Sequence, residues 1–223
     1  MNIIRQKTLD ISGHHITVVQ TYANSDGEGL VAPDGLWDIL VYKLQGVTQV
    51  LLFDRPLLQP VTVPIIAGQE QLIISFHAGS YVTQIPRSED GVHFLPVQND
   101  GTFRIGPYEL MIPTFETVED TVHCLIDHAI LVQDKVVSRT TQNQKQGASV
   151  RTVQRQFRHI TGMTPHYYTQ AARARQAAEL LRQGMPAIRV AHELNYTDQF
   201  HMTHALKRFI GKTTRDILRE KEA

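Results

Sequence analysis

The period of the apolar positions changes along the chain. From residue 1 to about 105, short runs rich in Val, Ile and aromatic residues are separated by Gly, Pro, Asp and Asn: HITVVQTY (15–22), LWDILVYKL (36–44), TQVLLFD (48–54), VTVPII (61–66) and QLIISFH (71–77). Many short strands at roughly 8–12-residue spacing predict a β-sandwich or barrel. Phe115, Val118, Val122, Leu125, Ile126, Ala129, Val132 and Val136 then recur at threes and fours, which predicts one amphipathic helix over 115–137. The stretch 138–148, SRTTQNQKQGA, is polar and reads as a linker or a weak helix. Helical spacing fills the rest.

That helical part writes nearly the same helix twice, 49 residues apart: SVRTVQRQFRHITG from Ser149 and DQFHMTHALKRFIG from Asp198. Ser149 and Asp198 are both good N-caps, with an oxygen that can accept from free first-turn amides. Val153, Phe157 and Ile160 align with Met202, Leu206 and Phe209, an i, i+4, i+7 apolar stripe in each copy. Gly162 and Gly211 follow the last turn, where a left-handed C-cap favours glycine. The opposite faces differ: Arg151, Arg155 and Arg158 stand where the second copy has Phe200, His204 and Lys207. A constant scaffold with a varied outward face fits two helices that read two different surfaces; a merely solvated basic face is the alternative.

Between the copies, Thr164 caps a helix with Pro165 at its first position. Tyr167, Ala171, Ala174, Ala178 and Leu181 form one side, and Gly184 ends it. Pro186 opens a short helix through Leu194, Asn195 turns the chain, and Asp198 starts the second copy. Short helix, tight turn and longer basic helix make a helix-turn-helix.

The net charge of zero hides an asymmetry. Residues 1–135 hold 7 Lys+Arg against 16 acidic residues, a net −9; residues 136–223 hold 15 against 6, a net +9. A basic half beside an acidic half points to a polyanionic partner for the basic one, or to attraction between the halves. The single cysteine, Cys124, cannot form an internal disulfide, which predicts a reducing compartment. The first residues lack the apolar core of a signal peptide, and no run approaches the ~18 apolar residues of a membrane span. A cytoplasmic protein with no membrane partner is expected.

With these elements placed, SVRTVQRQFRHITGMTPHYY, RARQAAELL and IRVAHELNYTDQFHMTHALKRFIG together resemble the DNA-binding domain of AraC-type transcriptional regulators. APDGLWDILV and ISFHAGS are similar to the β-rich sensor domain that precedes some members. The resemblance implies an α+β two-domain fold: a β-sandwich or cupin-like barrel over 1–110, a helix and linker over 111–140, and two helix-turn-helix units joined by a long helix over 141–223. It implies double-stranded DNA as partner and a role as activator or repressor. RNA polymerase, a small-molecule effector and a second copy of the chain are further partners it admits; no cofactor is implied. Its reading residues would be Arg151, Thr152, Gln154, Arg155 and Arg158 in the first helix, and Gln199, Phe200, His201, His204, Lys207 and Arg208 in the second. Arg151 and Arg155 suit guanine O6/N7, Gln154 adenine N6/N7, and Phe200 a thymine methyl or an interdomain contact. Arg158 and Arg208 suit phosphates. The chain departs from the family pattern at four places. Asn195-Tyr196 replaces a usual Gly-Phe turn, His204 a frequent Arg, and Thr214 a usual Pro. SRTTQNQKQ lacks the Ala/Leu core of a first supporting helix.

Other chemistries have weaker support. HELNY at His192 has no second His at i+4, so it is not a zinc-protease motif. His14 and His15 are adjacent, so in a strand they face opposite ways. His77 and His93 have no close His-x-His pair with a nearby Glu. Neither a Gly-rich phosphate loop nor a Ser or Cys nucleophile signature is present, so no catalytic or metal residue is assigned. The alternatives to an effector-controlled regulator are an effector-independent architectural DNA binder and, further off, a barrel enzyme.

Overall fold

Alternation of apolar and polar residues builds the first half. A computed structural model describes residues 2–32, 36–54, 57–85, 91–142, 144 and 147–222. Pro33–Gly35 of the sensor-like motif lie outside the described residues. Eleven strands come first: β1 (Asn2–Ile11), β2 (His14–Tyr22), β3 (Gly27–Val31), β4 (Trp37–Leu44), β5 (Val47–Phe53), β6 (Val61–Ile65), β7 (Glu70–Phe76), β8 (Ser80–Val82), β9 (Val92–Leu95), β10 (Thr102–Ile105) and β11 (Tyr108–Met111). Six of them form one sheet in the order β1-β2-β7-β4-β5-β9, with every pairing antiparallel. The sheet ends at β1 and β9 and does not close into a barrel. β10–β11, β3–β6 and β8 with a later strand make two-stranded ribbons.

Alternate positions of the strands supply the core. Ile16, Val18, Ile39, Val41, Val50, Leu52, Leu72, Ile74 and Phe76 are buried. Each side chain so removed from water contributes on the order of 1.5–3 kcal/mol against the entropy of ordering the chain. Trp37 sits opposite Phe76 in register, with the rings stacked 4.3 Å apart. Helix α1 (Val118–Asp127) lays Val118, Val122 and Leu125 into the same core.

The single helix expected over 115–137 is broken. α1 stops at His128, and Ala129 takes a left-handed φ of 51°. Strand β12 (Leu131–Gln133) follows and pairs antiparallel with β8. Helix α2 (Lys135–Thr141) then starts at Asp134, whose Oδ1 accepts from the Val136 and Val137 amides at 2.9 Å. Ile130 and Leu131 are buried, so burial in the β-rich core outweighs the helical period there. Of the stretch read as a linker or a weak helix, Ser138–Thr141 is helical, as the end of α2.

Five more helices complete the chain: α3 (Val150–Thr161), α4 (Pro165–Arg182), α5 (Ala187–Glu193), α6 (Gln199–Ile210) and α7 (Thr214–Glu222). The chain divides into two compact units. One comprises 1–29, 36–56 and 64–162; the other comprises 30–35, 57–63 and 163–223. The second has its own core, built from Ala171, Ala174, Ala177, Ala178 and Leu181 of α4, Val190 and Ala191 of α5, Met202, Leu206 and Phe209 of α6, and Ile217 of α7. Alanines let neighbouring helices approach α4 closely. At 1.5 Å per residue, the 18 residues of α4 make a rod of about 27 Å.

Candidate nucleic-acid interface

The duplicated helices fold as duplicates. Ser149 Oγ accepts from the Thr152 amide at 3.2 Å, and Asp198 Oδ1 from the His201 amide at 2.7 Å. Such a cap contributes about 1 kcal/mol. Gly162 and Gly211 end the two helices at φ 72° and 76°, and their amides donate to Arg158 O and Lys207 O. Phe157 and Ile160 are buried in α3 with Val153 half-buried; Met202, Leu206 and Phe209 are buried in α6. Cap, apolar stripe and glycine stop thus hold the same faces outward in each copy.

On α3 the outward residues gather. Arg151, Gln154, Arg155 and Arg158 line one open groove together with His159, and all five are exposed; Thr152 is half-buried at the cap. His159 was not among the residues picked from the sequence. It stands four residues after Arg155, one helical turn along the same face, and that spacing was the available signal. Among the described residues, Arg151, Arg155 and Arg158 have no ion-pair partner. By contrast, Arg189 pairs with Glu193 at 3.0 Å and Lys212 with Glu220. Like charges one turn apart cost roughly 0.2–0.5 kcal/mol per pair on a helix. A surface that keeps this cost and offers no acid is matched to a polyanion.

On α6 the outward face is chemically different. Gln199, Phe200, His201, His204, Lys207 and Arg208 are all exposed, Phe200 at 81%. Two of them also touch their own helix surroundings. His201 Nδ1 lies 3.3 Å from Thr197 Oγ1, with its ring edge-on to Tyr196, and the Arg208 guanidinium lies 5.5 Å over the Tyr167 ring and 5.1 Å over Phe209. Phe200, His204 and Lys207 follow the i, i+4, i+7 line that Arg151, Arg155 and Arg158 occupy in α3.

The turn before α6 shows why Asn195-Tyr196 serves. Asn195 takes φ 56°, a left-handed conformation that Asn tolerates. The Tyr196 amide donates to Ala191 O at 2.9 Å and closes α5. Tyr196 is buried; the Arg173 guanidinium sits 4.4 Å over its ring and donates to Asn195 O at 3.3 Å. Burial pushes the Tyr196 phenol above its ordinary range, and Arg173 pulls in the opposite direction. Thr214, in place of a usual proline, shares a 2.8 Å hydrogen bond with Thr203 of α6. A proline there could not make it.

The turn between α2 and α3 is looser. Cap to cap, α5 and α6 are 12 residues apart (Pro186 to Asp198), and α2 and α3 are 15 apart (Asp134 to Ser149). α2 nevertheless packs on α3, and Gln156 of α3 donates to Asp134 Oδ2 at 2.6 Å. Residues 143, 145 and 146 of this connection lie outside the described residues.

Among the described residues, no group of three or more His, Cys, Asp or Glu is placed to hold a metal ion, and no helix is long and apolar enough to cross a membrane.

The short helix α5, the tight turn at Asn195 and the exposed helix α6 make a helix-turn-helix unit. Residues 144–220 match the family model described as a helix-turn-helix domain, and the match is to the AraC type. This helix-turn-helix match, over about a third of the chain, supports a DNA-binding transcriptional regulator. No curated protein matches the chain. Among solved structures, ToxT from Vibrio cholerae is similar with a TM-score of 0.41 and 8% identity, over 92% of this chain and 98% of that one.

Proposed function

We propose that α3 and α6 read adjacent major grooves on one face of DNA, each at its own short sequence. The observation that carries this is the paired design: equal caps, cores and stops, with outward faces of different chemistry. Successive major grooves on one face are about 34 Å apart. Arg151 and Arg155 fork onto guanine, and Gln154 onto adenine; Phe200 packs on a thymine methyl. Arg158 and Arg208 hold phosphates, with Thr152, Gln199, His201, His204 and Lys207 completing the two surfaces. The acidic β-rich half controls this reading through a ligand or a second copy of the chain. Its support is the net −9 of residues 1–135 against the net +9 of residues 136–223. An acidic module repels DNA, so an arrangement that masks the basic face differs in DNA affinity from one that exposes it.

Selection of bound sites from random DNA by the intact protein tests this. The expected product is two short boxes one helical turn apart, with log K falling against log salt at a slope of about −5 for five or six neutralised phosphates. Binding with steep salt dependence but no recurring boxes supports an architectural DNA binder instead.

A further inference from the structure

The first turns of α3 and α6 are built alike. In α3 the third residue is tied back to the cap: the Thr152 amide donates to Ser149 Oγ, and the two hydroxyls lie 3.0 Å apart. In α6 the third residue is tied back as well, with the His201 amide on Asp198 Oδ1 and the His201 ring against Thr197 and Tyr196. The first two residues of each helix stay outward: Val150 and Arg151 in α3, Gln199 and Phe200 in α6, all four exposed. Each pair joins one large apolar side chain to one that can make two hydrogen bonds to a base edge. The order within the pair is reversed between the copies. We propose, on the DNA-reading role argued above, that each first turn recognises a 5-methylpyrimidine beside a purine, and that Val150 is the methyl-reading residue of α3.

Val150 is 75% exposed and Phe200 81%; among the described residues of α3 to α7, Ile188 is the one other large apolar side chain left so open. Equal caps and stops put Val150 at the place in α3 that Gln199 holds in α6. Both are therefore placed to meet a base if either is. Neighbouring Cα atoms are about 3.8 Å apart and neighbouring bases about 3.4 Å, so residues 150 and 151 match adjacent bases. Arg151 takes guanine O6/N7. The side chain next to it has no hydrogen bond to offer, and the one apolar group on the base edges of the major groove is the thymine C5-methyl. 5-Methylcytosine carries the same methyl at the same carbon. The first turn of α3 thus fits a methylated pyrimidine next to guanine. The first turn of α6 fits a methylated pyrimidine next to adenine, with Phe200 on the methyl and Gln199 on adenine N6/N7.

The intact protein is measured on DNA that it selects from a random pool, with each thymine replaced in turn by deoxyuridine, which removes the methyl alone. The α3 box is the one whose guanine preference disappears with Arg151→Ala. One thymine beside that guanine should weaken binding about fourfold when it becomes deoxyuridine, the effect of one buried methyl. Val150→Ala should bind the two DNAs alike. At the same position 5-methylcytosine should bind about fourfold better than cytosine, and Val150→Ala should erase that difference too. Phe200→Ala should erase the deoxyuridine effect in the other box and leave the α3 box as it was. Val150 belongs to neither core cluster and alanine is the better helix former, so this variant keeps its fold. The inference is overturned if the α3 box holds no thymine beside its guanine, if loss of the methyl there changes nothing, if the change survives in Val150→Ala, or if Val150→Ala alters both boxes alike. A failure of the DNA-reading proposal appears separately, as selection by the unmodified protein that returns no recurring boxes.

Discussion

The side-chain amide of Gln156 donates to Asp134 Oδ2 at 2.6 Å, and the other oxygen of that carboxylate caps α2. One residue therefore starts α2 and fixes α3 to it. Removing it loses a cap, about 1 kcal/mol, and a charge-assisted hydrogen bond, about 1.5 kcal/mol or more. Asp134→Ala should lower unfolding stability by roughly 2–3 kcal/mol, and Gln156→Ala by about 1 kcal/mol. Urea denaturation of the two single variants and the double variant measures this. Strict additivity of the two would show that the bridge contributes nothing.

Arg155 and Arg158 lie on the same exposed face, but their expected roles differ. Arg155→Ala should relax base choice within one box, with a loss of about 1–3 kcal/mol of discrimination. Arg158→Ala should weaken all sites alike and reduce the salt slope by about 1. Site selection and salt titration on both variants separate these outcomes, and uniform losses from both would remove the division of labour.

Gly211 ends α6 at φ 76°, and a Cβ there would lie 2.8 Å from Leu30 Cδ2 and 3.0 Å from Pro60 Cβ. The left-handed backbone costs an alanine about 1–2 kcal/mol before any crowding. Gly211→Ala should therefore destabilise by about 2 kcal/mol or more, read as a lower thermal midpoint. An unchanged midpoint would mean that neither the turn nor its packing is as tight as the distances indicate.

Stability should also fall on the acid side, through His14. This residue is 5% exposed, with Nδ1 2.7 Å from Ser80 Oγ. Burial holds its imidazole below the ordinary value of about 6.5; Asp10 pulls it up, and His15 pushes it further down. Above that ordinary value folded and unfolded chains are both neutral at this site, and its full contribution is present. As pH falls through it, the unfolded imidazole takes a proton that the folded one resists, so stability declines toward the folded pKa. His14→Gln should flatten this part of the profile when urea midpoints are compared at pH 7.5 and 5.5. Parallel profiles for the two proteins would rule His14 out as a contributor.

The features legible in the sequence are those decided within a few residues. Ser149, Thr164 and Asp198 cap where expected, Gly162 and Gly211 stop their helices, and Asn195 turns left-handed because a short polar side chain tolerates that conformation. The alanine face of α4 followed from spacing alone. The break after His128 did not, because Val132 and Val136 fall on helical spacing although one lies in a strand and the other in a new helix. The pairing of Leu131 with Val82 that decides it joins residues 49 apart. The open sheet was not legible either, since closure depends on whether distant edges β1 and β9 meet. At the interface, the exposed line of Arg151, Arg155 and Arg158 could be read from a helical wheel.

The joint at Asp134 bears on how the protein is taken apart. The segment recognisable as a helix-turn-helix domain starts at residue 144, after α2 has ended and ten residues past Asp134. A fragment cut at that border carries α3 without α2, which packs on it, and without the carboxylate that receives Gln156. Such a fragment would report on α6 and α4 while its first helix frays, and its weak binding at one box would be an artefact of the cut. Severing the chain before Leu131 instead keeps the α2–α3 joint but strips β8 of its partner strand, so either cut leaves an unmatched surface on one of the two pieces.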